Sequence, residues 1–119
     1  MRFQNMVVLA ASVLLMPLTS NALIIGDCQP NLKKADVSSL CAADGTFAED
    51  SIRLIVNYSN LKYGAGENVT AQTLNISEGE FAQLNTLLNN ECAVHLFDYQ
   101  LDKGLTDFRK EMNQICSEQ

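Results

Sequence analysis

Four cysteines, Cys28, Cys41, Cys92 and Cys116, stand far apart in a chain of 119 residues, and their chemistry depends on the compartment in which the chain folds. The N-terminus supplies that information. A single basic residue, Arg2, precedes the apolar run Met6 to Leu18, and Ser20-Asn21-Ala22 provides the small residues that a signal peptidase accepts on either side of one spacer. Residues 1–22 are therefore expected to be a secretory signal peptide and residues 23–119 a single mature domain. The competing reading, a membrane anchor, fails on length. A spanning helix needs about 20 apolar residues, whereas this run is shorter, contains Pro17 and gives way to Thr19, Ser20 and Asn21. Charged residues recur from Asp27 to Glu118, so no membrane span is expected once the signal is cleaved.

In an oxidising compartment an even number of cysteines reads as two disulfides. A tetrahedral metal site would need ligands in close pairs, such as Cys-x-x-Cys, and the single histidine, His95, stands alone. No metal or cofactor is expected. Cleavage leaves 97 of the 119 residues, enough for one small domain whose core is marginal without crosslinks. Charge narrows the partners further. The chain carries 8 basic and 14 acidic residues, a formal charge of −6 that becomes −7 when Arg2 is removed. An acidic surface repels phosphate backbones and anionic lipid, so no nucleic-acid partner is expected. The adjacent basic pairs, Lys33-Lys34 and Arg109-Lys110, read as solvated helix surface.

Along the mature chain, Leu23-Ile24-Ile25 ends at Gly26-Asp27 and suits a short first strand. Leu32, Val37, Leu40 and Cys41 fit a short helix stopped at Asp44-Gly45. Ser51 to Ser59 alternates, with Ile52, Leu54, Val56 and Tyr58 on one face, the period of a half-buried strand. Tyr63 to Asn68 has the glycines of a hairpin connection, and Val69 to Ile76 returns as its partner. Ser77 and Glu80 form a capping box, and Phe81, Leu84, Leu87 and Leu88 follow at helical spacing to Asn89-Asn90. Ala93 to Leu101 reads as a strand. Leu105, Phe108, Met112 and Ile115 make the apolar stripe of a closing helix. This order predicts an α+β fold of the ferredoxin-like, split βαβ type (βαββαβ): an antiparallel sheet with helices on one face and an added C-terminal helix, held by two disulfides. The fall-back is a hairpin with a helical cluster packed on it. The first and last strands of such a sheet are neighbours, which favours the pairs Cys28–Cys92 and Cys41–Cys116. Sequence alone leaves the sequential pairing, Cys28–Cys41 with Cys92–Cys116, open.

Candidate chemistry is sparse. His95 could act as a base near neutral pH, but no local Ser or Cys completes a nucleophilic arrangement, and a structural or surface histidine is the commoner outcome. The acidic pairs Glu49-Asp50 and Glu78/Glu80 invite comparison with glycosidase carboxylates, yet Glu80 has a capping role and solvated acid is the default. No catalytic residue is assigned. Three tripeptides match the N-glycosylation acceptor, at Asn57, Asn68 and Asn75. Asn68 falls in the expected hairpin loop and is the most accessible, whereas the Ser77 of the third is claimed by the helix cap. The last expected strand places His95, Phe97 and Tyr99 on one side, either beneath the closing helix or as a partner surface.

The opening Met1-Arg2-Phe3, followed by Leu9-Ala10-Ala11-Ser12-Val13-Leu14-Leu15, looks like the signal peptides of small secreted fungal proteins. With a short acidic mature chain and four spaced cysteines, it resembles the class of fungal effectors and killer-toxin-like proteins, some of which have ferredoxin-like sandwiches. The resemblance covers the signal and the overall plan and carries over no functional residue. It implies a secreted, extracellular, non-enzymatic interaction protein, an effector or toxin-like factor that binds a protein or glycan of a host or competitor. A bacterial periplasmic or secreted inhibitor or binding module is the alternative, and a small hydrolase built on His95 the second.

Overall fold

The computed structural model describes residues 28–118, and within them the chain is helical. The helices are α1 (Lys34–Val37), α2 (Glu49–Ser59), α3 (Ala71–Leu74), α4 (Glu78–Leu88), α5 (Glu91–Gln100) and α6 (Thr106–Cys116). Short 3-10 turns follow α1 (Ser38–Leu40) and α5 (Leu101–Lys103), and a π-helical turn, Asn60–Gly64, extends α2. No strand or sheet occurs among the described residues, where the nearest thing to one is an isolated antiparallel bridge between Cys41 and Phe47. The ferredoxin-like sheet is thereby overturned. The expected signal peptide and the strand at Leu23 to Ile25 lie outside the described residues.

Each displaced strand has a physical reason. Over residues 51–59 the apolar positions satisfy two periods at once, and burial follows the helical one: Ser51, Ile52, Ile55 and Tyr58 are buried, while Leu54 and Val56 are half-covered. Glu49 and Asp50 occupy the first turn of α2, where acid is favoured by the helix dipole. Over residues 92–100 the buried set is Cys92, Ala93, Leu96, Phe97 and Gln100, spaced as one face of a helix. Asn90 starts this helix by accepting the Ala93 N–H on its side-chain oxygen at 3.0 Å, so the pair Asn89-Asn90 both ends α4 and opens α5. The expected return strand is instead an irregular stretch, then α3, capped when Thr70 Oγ1 accepts the Thr73 N–H at 3.2 Å and closed by Asn75 in the left-handed conformation, φ 59°.

The three expected helices are present, the first as the short α1 with the 3-10 turn that follows it. Ser77 Oγ accepts the Glu80 N–H at 3.0 Å and Glu80 Oε1 accepts the Ser77 N–H at 3.2 Å, the reciprocal cap that starts α4. In α6 the stripe Phe108, Met112, Ile115 and Cys116 is buried. Phe108 is the centre of an aromatic cluster, edge-on to Phe47 at 5.7 Å and to Phe97 at 5.0 Å between ring centroids, the geometry that the ring quadrupoles prefer. Leu40, Leu84, Leu87 and Met112 complete the most buried layer. Asp44-Gly45 acts as a stop, but of the 3-10 turn after α1 and by way of a tight loop. Gly45 takes φ 86°, Ala42 N–H donates to the Thr46 carbonyl at 2.7 Å, and Cys41 is thereby turned back alongside Phe47.

Both disulfides join element ends that are remote in sequence. Cys28 is bonded to Cys92 in the first turn of α5, and Cys41 to Cys116 at the end of α6, each with 5.6 Å between Cα atoms. Neighbouring strands, the expected basis of the first pair, are not what brings it together. A helix start meets the incoming chain there, with Asn90 Nδ2 donating to the Pro30 carbonyl.

Candidate functional site

The residues singled out from the sequence do not converge. His95 and Tyr99 are exposed on α5, one helical turn apart, whereas Phe97 points the other way and is 5% exposed. The three therefore share no face, and the partner surface drawn through them as a strand is corrected by the helical period. Among the described residues the His95 side chain takes part in no hydrogen bond, and no group of three or more His, Cys, Asp or Glu residues gathers that could hold a metal ion. Three of the four acidic residues are engaged: Glu49 with Arg109, Asp50 with Arg53, and Glu80 with the α4 cap. Asn57 is exposed in the last turn of α2, Asn68 in the irregular stretch before α3, and Asn75 at the end of α3. The acceptor hydroxyls Thr70 and Ser77 both serve as helix caps.

A cleft of about 380 Å³ opens where the end of α2, the end of α4 and the middle of α5 meet. Its apolar floor includes Ile55, Leu87, Val94 and Phe97, with Phe108 beneath. Its polar lining comes from three places: Tyr58, Lys62 and Tyr63 from α2 and the π-helical turn, Asn85 and Asn89 from the end of α4, and Asp98 from α5. The π-helical turn shapes the first of these. Tyr58 and Lys62 are one turn apart, and Lys62 Nζ donates to Tyr58 Oη at 3.2 Å. The same ammonium lies 5.5 Å from the ring centroids of both Tyr58 and Tyr63, within reach of their negative faces. The hydrogen bond to Tyr58, then the field of the two tyrosines, holds the Lys62 ammonium above its usual value of 10.5. Lys62 is thus a fixed cation over an apolar floor.

A second hollow, about 320 Å³, lies between Phe47, Glu49, Arg109 and Asn113. Its polar groups are already used. Arg109 pairs with Glu49 and donates from Nε to the Gly104 carbonyl at 3.1 Å, and Asn113 Oδ1 accepts the Phe47 N–H at 2.8 Å. These bonds fasten α6 to the start of α2 and to the loop before it.

Of the cleft residues, only Phe97 was legible as a candidate in the sequence. Tyr58, Lys62, Tyr63 and Asp98 were missed because their wall exists only if residues 51–64 are helical. The signal available was the spacing Ile52, Ile55, Tyr58 and Lys62, which continues one helical face through the segment expected to turn.

The chain matches no family model, no curated protein and no solved structure. No described helix is long and apolar enough to cross a membrane.

Proposed function

We propose that this chain is a secreted, non-enzymatic interaction protein of the effector or toxin-like kind, engaging an extracellular component of a host or competitor through the cleft between α2, α4 and α5. The observation that carries the reading is Tyr63. Its ring is 75% exposed at the mouth of an apolar cleft, on a π-helical turn of the kind that recurs at functional sites, and solvated aromatic rings beside apolar pockets are favoured anchors for a partner. The expected export signal and the two long-range bridges support an extracellular life, since such bridges persist in oxidising surroundings. Asn68, exposed just beyond the π-helical turn, would be the most accessible glycan acceptor in a eukaryotic secretory route.

The test uses the purified, oxidised mature chain as bait against extracellular extracts of candidate hosts and competitors, with Tyr63→Ala as the matched control. Removing a solvated ring should leave the melting temperature within a degree or two. Capture of the saturating component should nevertheless fall about tenfold or more. Equal capture by both baits would reject the cleft as the binding face, and turnover of a captured substrate would reject the non-enzymatic reading.

A further inference from the structure

The two charged groups of the cleft come from different elements, Lys62 from the π-helical turn beyond α2 and Asp98 from α5. Lys62 forms no ion pair among the described residues, where the pairs are Arg53 with Asp50 and Arg109 with Glu49. Its polar partner is the Tyr58 hydroxyl oxygen. An ammonium has three protons to donate, so the bond to Tyr58 leaves Lys62 able to serve another acceptor. Tyr58 Oη accepts from Lys62, which leaves the Tyr58 O–H free to donate. Two donors of adjacent residues therefore converge at one corner of the cleft, and that arrangement suits an anionic oxygen pair.

The rest of the lining sets the other half of the ligand. Ile55, Leu87, Val94 and Phe97 offer no hydrogen bond from their side chains, and the volume falls in the range of small-molecule sites, about 300–1,000 Å³. In a chain of formal charge −6, an anion is held only where a cation is placed for it. Asp98 in the same lining disfavours a second negative group on the same ligand. We propose that the cleft takes a small amphipathic monocarboxylate, a fatty-acid-like molecule whose carboxylate meets Lys62 and the Tyr58 hydroxyl while its apolar chain covers Ile55, Leu87, Val94 and Phe97. This ligand class rests on the cleft's being the binding face.

The mature, oxidised chain is titrated separately with sodium decanoate, decanol and sodium decanedioate, followed by two-dimensional amide NMR and by tyrosine fluorescence. Tyrosine is a clean reporter, since the chain has no tryptophan and two of its three tyrosines line the cleft. Saturable shifts should be confined to residues 58–64, 85–89 and 93–98. Decanoate should bind about tenfold more tightly than either decanol or decanedioate, and Lys62→Gln should reduce its affinity to that of decanol with an unchanged melting temperature. Equal affinities for the three ligands, shifts elsewhere, or an indifferent Lys62→Gln variant would overturn the proposal. So would tighter binding of a short peptide ending in leucine, which would give the cleft to a protein C-terminus. Loss of the ligand result with the Tyr63→Ala capture defect intact rejects only the ligand class; loss of both rejects the binding face.

Discussion

At the scale of single residues, Gln100 makes a connection that no local pattern announces. Helix α6 begins after Leu105, a buried residue at φ 60° with no side-chain cap of its own. Gln100, at the end of α5, supplies the missing acceptor: its Oε1 takes the Phe108 N–H at 2.9 Å while its Nε2 donates to Asp107 Oδ2 at 2.8 Å. Because this amide is only 9% exposed, truncation strands a buried N–H. Gln100→Ala should cost about 1–2 kcal/mol in urea unfolding, and Gln100→Glu should also destabilise, by placing a carboxylate against Asp107. A wild-type unfolding midpoint for both variants would show that the bond contributes nothing. Asp44 acts at the same scale but through pH. Its Oδ1 accepts from the Thr46 hydroxyl at 2.6 Å and the Thr46 N–H at 3.1 Å, and these bonds hold its carboxyl below the ordinary 3.8, the hydroxyl bond most of all. A folded value below the unfolded one means that the contribution is present above the unfolded value and disappears as pH falls through the folded one. A carboxyl-carbon NMR titration should therefore place Asp44 below 3.8 in the folded chain, and Asp44→Asn should reduce the acid sensitivity of the loop that turns Cys41 back beside Phe47. A folded value at or above 3.8 would count against the Thr46 bonds.

At the scale of elements, α2 and α5 show where sequence reasoning succeeds and where it fails. The cap at Ser77 and the stripe from Phe108 to Ile115 were legible because a hydrogen-bonding motif and an unambiguous spacing pointed to one structure. Residues 51–59 carry Ile52, Leu54, Ile55, Val56 and Tyr58, a run dense enough to satisfy both alternation and helical spacing. Their β-branched side chains tilt the local preference toward a strand. Burial of Ile52, Ile55 and Tyr58 in the common core decides otherwise, as tertiary burial commonly outweighs propensity differences of a few tenths of a kcal/mol. The cleft is less legible still, because its lining comes from three elements and the local pattern gives two of them, α2 and α5, the period of a strand. The two readings of α2 differ in a measurable way. A strand would bury Leu54 and leave Ile55 on the opposite face, whereas the helix buries Ile55 at 2% exposure and half-covers Leu54. Ile55→Ala should accordingly cost about 2–5 kcal/mol and Leu54→Ala distinctly less. Thermal unfolding of the pair would restore the strand if Leu54→Ala proved the more damaging. Far-ultraviolet circular dichroism of the native chain should in turn show helix with no sheet signature.

At the scale of the whole molecule, the helices are short and the bridges are long. Isolated helices of four to eleven residues are marginal in water, so the described fold depends on what holds their faces together. The bridges span 64 and 75 residues, and their loops interleave: the segment closed by Cys41 and Cys116 begins inside that closed by Cys28 and Cys92 and ends beyond it. Every helix from α2 to α5 begins within both loops. In the chain-entropy account, each closure of this length restricts the unfolded ensemble by about 4 kcal/mol, a large share of the roughly 5–15 kcal/mol that separates folded from unfolded domains. Interleaving makes the two contributions unequal to a simple sum, because one crosslink already shortens the effective loop of the other. Each bridge joins one buried cysteine to one partly covered one, Cys116 with Cys41 and Cys92 with Cys28, and the more deeply buried of the two is Cys116, 0% exposed at the end of the Phe108 stripe against 8% for Cys92. The two losses should therefore differ. Replacing Cys41 and Cys116 together by alanine should lower the melting temperature by roughly 15–30 °C, the shift expected for about 4 kcal/mol in a domain of this size, and replacing Cys28 and Cys92 should lower it by less. A calorimetric scan of the two double variants against the oxidised chain measures both. Equal small shifts would mean that the helices hold each other without the crosslinks, and a larger loss for the Cys28–Cys92 pair would place the stabilising weight at the start of α5 rather than in the core around Phe108.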